Sequence, residues 1–292
     1  MKKYRYMALA AMVLSLVACE HDDPGYDAIE VDAAVNALQT RVSYDADGST
    51  AFDDGDRIRV VNDNRHGRNY SDAVYGYDKT NLKWEPVGAD YVVWDSTVEN
   101  TFYATYPSTA SHTEFTIPAD QKEGYAGADW MTGVYIGANG EDVVVNFDMA
   151  HRLTLVTVTI VDWNIENEDV SKLVADPVIY SKGAEMAAAY SNGTVTVTWD
   201  PVETPISPVS DGKTFTAIIA PAKYEATEKF MTLEVDGQLL TVYADGKLTE
   251  GLEPGGHYAF ALTVTKVGAG ISALIKDWET GNGSGSMKPD FE

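Results

Sequence analysis

From Leu153 to Val161 the chain reads LTLVTVTIV, an unbroken alternation of β-branched and apolar residues with a period of two. Leu153, Leu155, Thr157, Thr159 and Val161 fall on one face, and Thr154, Val156, Val158 and Ile160 on the other. Branching at Cβ leaves Val, Ile and Thr stiff at χ1, which suits a pleated surface and crowds a helix. This is a strand, and the rest of the chain repeats the pattern. Further strands are predicted at Arg57–Val61, Asp90–Trp94, Thr101–Tyr106, Glu114–Ile117 and Val143–Phe147. Others follow at Thr194–Trp199, Phe215–Ala220, Phe230–Val235, Gln238–Tyr243, Gly256–Val264 and Ile271–Trp278. Turn signals separate them: Asp53-Asp54-Gly55-Asp56, Ser191-Asn192-Gly193 and Asp236-Gly237, with Pro107, Pro118 and Pro221 as stops. Helical patterning is confined to Asp169–Ala175, room for a turn or two. Many short strands at this spacing predict an all-β chain built of antiparallel β-sandwiches, and its length predicts two of them in tandem.

The ends read differently. Residues 1–18 combine a cationic start (Lys2, Lys3, Arg5) with an apolar run from Met7 to Ala18. That run is shorter than the roughly 20 residues a membrane span needs, so it predicts a secretory signal. Residues 19–33 open with the acidic cluster Glu20-His21-Asp22-Asp23 and then Pro24-Gly25, and read as a tether. The two sandwiches are then expected at 34–140 and 141–278, and the Gly- and Ser-rich stretch 279–292 as a flexible tail. The formal net charge is −24, from 21 basic and 45 acidic residues. Loss of Lys2, Lys3 and Arg5 with the signal leaves 18 against 45, or −27. So acidic a surface repels phosphate backbones and is a poor nucleic-acid partner. With a single cysteine the chain cannot form an intrachain disulfide, so large apolar cores must hold it.

Chemistry is sparse. The histidines, His21, His66, His112, His151 and His257, are isolated from one another, and no zinc-binding spacing occurs. There is no nucleophile elbow and no phosphate loop, so neither catalytic residues, metal ligands nor a cofactor are predicted. Asp45-Ala46-Asp47-Gly48-Ser49 begins like a calcium loop, but Thr50 stands where the sharp turn needs Gly and Asp56 where a bidentate Glu belongs. An Asp/Gly turn ahead of a strand explains it better. The 17 tyrosines and 6 tryptophans are expected mainly in cores and cross-strand pairs; exposed ones could stack on sugars.

Two resemblances give these pieces a context. Leu16-Val17-Ala18-Cys19 resembles the bacterial lipobox, which implies cleavage before Cys19 and acylation of its thiol. The acidic cluster after Cys19 is similar to the export signal that sends lipoproteins of Bacteroidetes-type bacteria to the cell surface. Several short segments, in order, resemble the fimbrillin-like lipoproteins of type V pili. They are Phe52-x-x-Gly55-Asp56-x-Ile58-x-Val60, Thr101-Phe102-Tyr103-Ala104-Thr105-Tyr106-Pro107, Asp129-Trp130-Met131, Val145-x-Phe147-x-x-x-His151-x-Leu153, Gly255-Gly256-His257-Tyr258-x-Phe260 and Ile275-Lys276-Asp277-Trp278.

That resemblance implies two transthyretin-like sandwiches and a structural or adhesive subunit of shaft, tip or anchor, without catalysis. It implies other fimbrial subunits as partners, attachment to the outer membrane through the Cys19 lipid, and a host or glycan ligand as a further partner. It also implies maturation by cleavage after an arginine that follows the first strand, for which Arg41 in Ala37-Leu38-Gln39-Thr40-Arg41-Val42 is the matching position. The groove so opened would receive a strand from the next subunit. The tail offers only Met287 and Phe291 as apolar residues, so a donor or sheet-completing strand is expected at Ile271, Ala273, Ile275 and Trp278 instead. A stand-alone glycan-binding surface lipoprotein is the alternative reading.

Overall fold

In the computed structural model, the alternation in the sequence becomes alternation in burial. Along β9 (Thr154–Asn164) Val156, Val158 and Ile160 are buried, while Thr157 and Thr159 are half-buried and Val161 is exposed. The structure describes residues 28–35, 52–65, 67–95, 98–138, 144–164, 174–267 and 270–277. Nearly every described element is a strand, and the strands gather around two separate apolar cores. The all-β expectation holds.

The first unit is a closed seven-stranded barrel. Its strands are β1 (Glu30–Val35), β2 (Arg57–Asn62), β3 (Asp72–Asp78), β4 (Lys83–Pro86), β5 (Glu99–Tyr106), β7 (Met131–Ala138) and β8 (Val144–His151). They run β1-β4-β3-β2-β5-β7-β8 around the barrel, antiparallel except where β1 meets β8 in parallel. Phe52, Trp84, Trp94, Phe102 and Phe147 are among the large side chains that fill it.

The second unit packs two sheets onto one core. The five-stranded sheet runs β14 (Val209–Ser210), β15 (Thr214–Ile219), β9, β18 (His257–Val267), β19 (Gly270–Asp277). The four-stranded sheet runs β13 (Glu203–Ile206), β10 (Val174–Lys182), β16 (Lys229–Val235), β17 (Gln238–Tyr243). Phe215, Phe230, Leu233 and Phe260 are buried between them, and the one-turn helix α1 (Lys247–Glu250) adds Leu248. A third sheet of β12 (Thr194–Trp199), β11 (Glu185–Ser191) and β6 (Glu114–Thr116) flanks this core.

The structure corrects several sequence expectations. Glu30–Ala33, read as tether, is most of β1, because Val31, Ala33 and Val35 alternate inward between exposed Glu30, Asp32 and Ala34. The strand expected to open the second domain is β8, which closes the barrel, so the cores divide between His151 and Leu153 rather than near 140. Residues 107–130 are not barrel residues alone. Ala110, Ile117, Ala128 and Trp130 belong to the second core, and β6 pairs with β11.

Asp90–Trp94 is buried at Val92, Val93 and Trp94 but forms no ladder, only a bridge between Ala28 and Val93. Side chains replace the ladder. Asn62 Nδ2 donates to Val93 O and Asn100 Oδ1, both at 2.9 Å, and the Asp95 amide donates to Asn100 Oδ1 at 2.8 Å. Of Asp169–Ala175, only Val174 and Ala175 are described, and both lie in β10.

The units are joined by more than chain. Tyr103 of β5 packs on Tyr190 of β11 with ring centroids 4.2 Å apart, and the Tyr190 hydroxyl donates to the His112 carbonyl. Gln121 of the crossover pairs both ways with Ile218, at 2.9 Å in each direction. Asp129 and His151, from two segments separated by most of β7 and β8, meet in the interior with Oδ1 and Nδ1 2.7 Å apart.

Candidate functional site

The element whose position most invites function is β1. It is the first described strand, and the barrel closes where it joins β8 and β4. On one side it pairs in parallel with β8 through six register positions, Glu30↔Val144 to Val35↔Met149; on the other it meets β4 at the single position Val31↔Trp84. The parallel register sets Val31 beside Val145, Ala33 beside Phe147 and Val35 beside Met149, so every inward side chain of β1 covers one of β8. Ala33 is small where Phe147 is large. Ile29 adds a fourth buried side chain, and its amide donates to Val92 O at 3.0 Å. Trp84 closes the opposite wall, its Nε1 donating to Ala33 O at 3.3 Å and its ring meeting Phe52 edge-on at 4.8 Å.

The groove under β1 is walled by β8, which among the described residues ladders with β7 only at Met131↔His151 and Thr132↔Ala150 and with β1 along 144–149. Phe147 and Met149 also pack close to β7 at Gly133, where a Cβ would sit 2.9 Å from Met149 Sδ and 3.0 Å from Phe147 Cβ. Tyr75 packs in the same core and accepts the Val92 amide at 3.0 Å; burial pushes its hydroxyl up to about 12. At the Asp56 turn, burial raises the carboxyl above its ordinary value, against hydrogen bonds from the Asp53 amide and the Tyr106 hydroxyl.

Such a groove can hold an extended strand by main-chain hydrogen bonds and alternate apolar pockets. It offers no reactive group. Among the described residues no cluster of three or more His, Cys, Asp or Glu side chains could hold a metal, and no helix is long and apolar enough to cross a membrane. The described histidines lie apart: His112 stacks near Tyr103, His151 pairs with Asp129, and His257 Nε2 lies 3.1 Å from Thr157 Oγ1.

The sequence-derived site residues distribute as follows. Cys19, Arg41 and Trp278 lie outside the described residues. The strand expected as donor or edge is β19, at the end of the five-stranded sheet and paired antiparallel with β18 from Phe260↔Asp277 to Val267↔Gly270. Ile271 stands opposite Lys266, Ala273 opposite Val264 and Ile275 opposite Leu262. Ile275 is buried, Ala273 half-buried and Leu274 exposed. The groove strand itself was missed. Its signal was present in IEVDAAV, where Ile29, Val31, Ala33 and Val35 alternate, but the acidic neighbours made it read as linker.

The described residues thus form a barrel closed by its own first strand and a sandwich packed on a separate core. The fimbrillin-like family model matches residues 40–278, and the chain belongs to that family. No curated protein matches the sequence. Among solved structures, the chain is similar to a candidate cell adhesion protein of Bacteroides uniformis, with 18% identity, TM-score 0.61 and coverage of 87% of this chain and 98% of that one. A second candidate cell adhesion protein, from Bacteroides ovatus, is 18% identical with TM-score 0.56, covering 88% of this chain and 100% of that one. At these identities the likeness is one of fold. The family match and the all-β fold agree.

Proposed function

We propose that this chain is a cell-surface fimbrial or adhesion subunit that assembles with other subunits by exchange of β1. In this reading residues 1–18 direct export, Cys19 carries the lipid that fastens the precursor to the outer membrane, and cleavage after Arg41 severs β1 from the barrel. A strand from a neighbouring subunit then takes its place between β4 and β8. The observation that carries the reading is the way β1 is held. Its inward side chains are buried, yet it joins β4 at one register position, and it precedes Arg41 in the chain. The family match begins at residue 40, so β1 lies outside it. The work of the groove is binding, and no catalytic step is assigned.

β19 is proposed to remain the edge of its own sheet rather than to leave as a donor, because departure would expose Ile275 and empty a full antiparallel ladder. The test is treatment of the purified chain with an arginine-specific protease. Cleavage at Arg41 followed by SDS-resistant ladders supports exchange of β1. A product trimmed at Arg41 that stays monomeric at every concentration refutes assembly by this route and leaves an anchored adhesin.

A further inference from the structure

We propose that the open edge of β12 is a second, independent interface through which two copies of the chain pair antiparallel, β12 against β12. Unpaired sheet edges are normally blunted by charge, proline, brevity or cover, and the edges described here can be compared one by one. The barrel is closed and has none. β13 carries Glu203 and Pro205, β14 is two residues long, and β6 is three residues long and begins with Glu114. β17 and β19 lie side by side at one end of the sandwich. β12, TVTVTW, carries no charge and no proline and is not short, and it lies beside β7 where Gly193 meets Ile136. It is six residues long and paired with β11 at all six positions without a bulge.

The hairpin geometry says which groups face outward. Asn192 and Gly193 both have positive φ, 48° and 76°, as a type I′ two-residue turn requires. Ser191 and Thr194 therefore exchange both hydrogen bonds, and the bonded positions recur at Thr196 and Thr198. The amides of Val195, Val197 and Trp199 point to the open side. Their side chains are half-buried toward the core face, while Thr194, Thr196 and Thr198 are exposed.

A two-fold axis through Val197 satisfies both faces of this strand. Val197 then opposes its own copy and Val195 opposes Trp199, both at outward-bonding positions, and Thr196 opposes Thr198 on the exposed face. Aromatic against β-branched and Thr against Thr are favourable cross-strand pairs. Exposed Ile136, beside the hairpin tip at Gly193, and exposed Val202, just past Trp199, extend the apolar surface at both ends. The register selects a second copy, because about Val197 the strand is complementary to itself. The net charge of −24 works against pairing, and the neutral edge keeps like charges from being directly opposed at the seam. The isologous arrangement is closed, giving one six-stranded sheet and no open polymer. It uses no part of the β1 groove.

Sedimentation velocity of the full uncut chain tests this. A monomer–dimer equilibrium is expected that tightens from 0.15 M to 0.5 M NaCl, because salt screens the repulsion between acidic surfaces. Thr196→Lys, a charge on an exposed edge position, should weaken dimerisation by roughly tenfold or more, about 1.4 kcal/mol. Val197→Pro, which removes an outward amide and leaves the β11 ladder intact, should do the same; if it fails to fold by circular dichroism, the lysine variant alone decides. A chain that stays monomeric at both salt concentrations overturns the proposal, as does a dimer that both folded variants leave unchanged.

Discussion

If β1 is a replaceable strand, shaving its inward side chains should loosen it without harming the rest of the molecule. Val31 and Val35 are the positions to change, since both are more than nine-tenths buried and face Val145 and Met149. Full burial of a Val or Ile side chain contributes about 1.5–3 kcal/mol, so Ile29, Val31 and Val35 together contribute roughly 5–9 kcal/mol to holding β1. That is enough to keep the strand seated after the chain is cut. Truncation of one Val to Ala removes two carbons, about 1.6 kcal/mol at 0.8 kcal/mol per methylene, and the double substitution about 3 kcal/mol. Unrelaxed cavity adds to this. Three kilocalories correspond to roughly a hundredfold change in affinity. The assay is cleavage after Arg41, followed by competition between the severed segment and a labelled peptide spanning Ala28–Arg41. The Val31→Ala/Val35→Ala chain should lose its segment roughly a hundredfold more readily than the parent. Equal retention by the two proteins would refute the claim that these side chains hold β1.

Other expectations follow from the buried polar groups. Asn100→Ala strips the acceptor from Asn62 Nδ2 and from the Asp95 amide and should cost about 2–4 kcal/mol, read as a lower urea midpoint. Asp129→Ala leaves buried His151 without its partner and should destabilise the chain by about 1–3 kcal/mol, read from thermal melts. The raised Asp56 carboxyl means the folded chain binds a proton that the unfolded chain has already released just above pH 3.8. Stability should therefore fall as pH rises from that value through the folded pKa, and Asp56→Asn should flatten this part of the curve in urea melts taken across it.

How much of this was legible in the sequence depended on whether a strand's signal was local. β9 and β12 announce themselves because their side chains alternate over six or more residues, and β12 and β17 because Asn192-Gly193 and Asp236-Gly237 turn into them. β11, EMAAAYS, was invisible because alanine carries no strand preference, and only pairing on both sides makes it one. Asp90–Trp94 had the composition of a strand but is pinned by two asparagines from other elements, which no window around it could show. The division of the chain was hidden for the same reason. β8 is apolar on alternate residues whichever core receives it, and the deciding partner, β1, lies more than a hundred residues earlier. Of the groove, Phe147 and Val145 stood in a motif already singled out; the strand that covers them was masked by its acidic surroundings.

Hydrogen exchange read by mass spectrometry, before and after cleavage at Arg41 and removal of the severed segment, tests the replaceable strand most directly. Amides of β8 and β4 should lose protection while those of β9 and β18 keep theirs, and adding the Ala28–Arg41 peptide should restore the lost protection. Loss of protection throughout both units would contradict it by making β1 part of the fold's foundation, and unchanged protection in β8 would contradict it by showing that no groove opens.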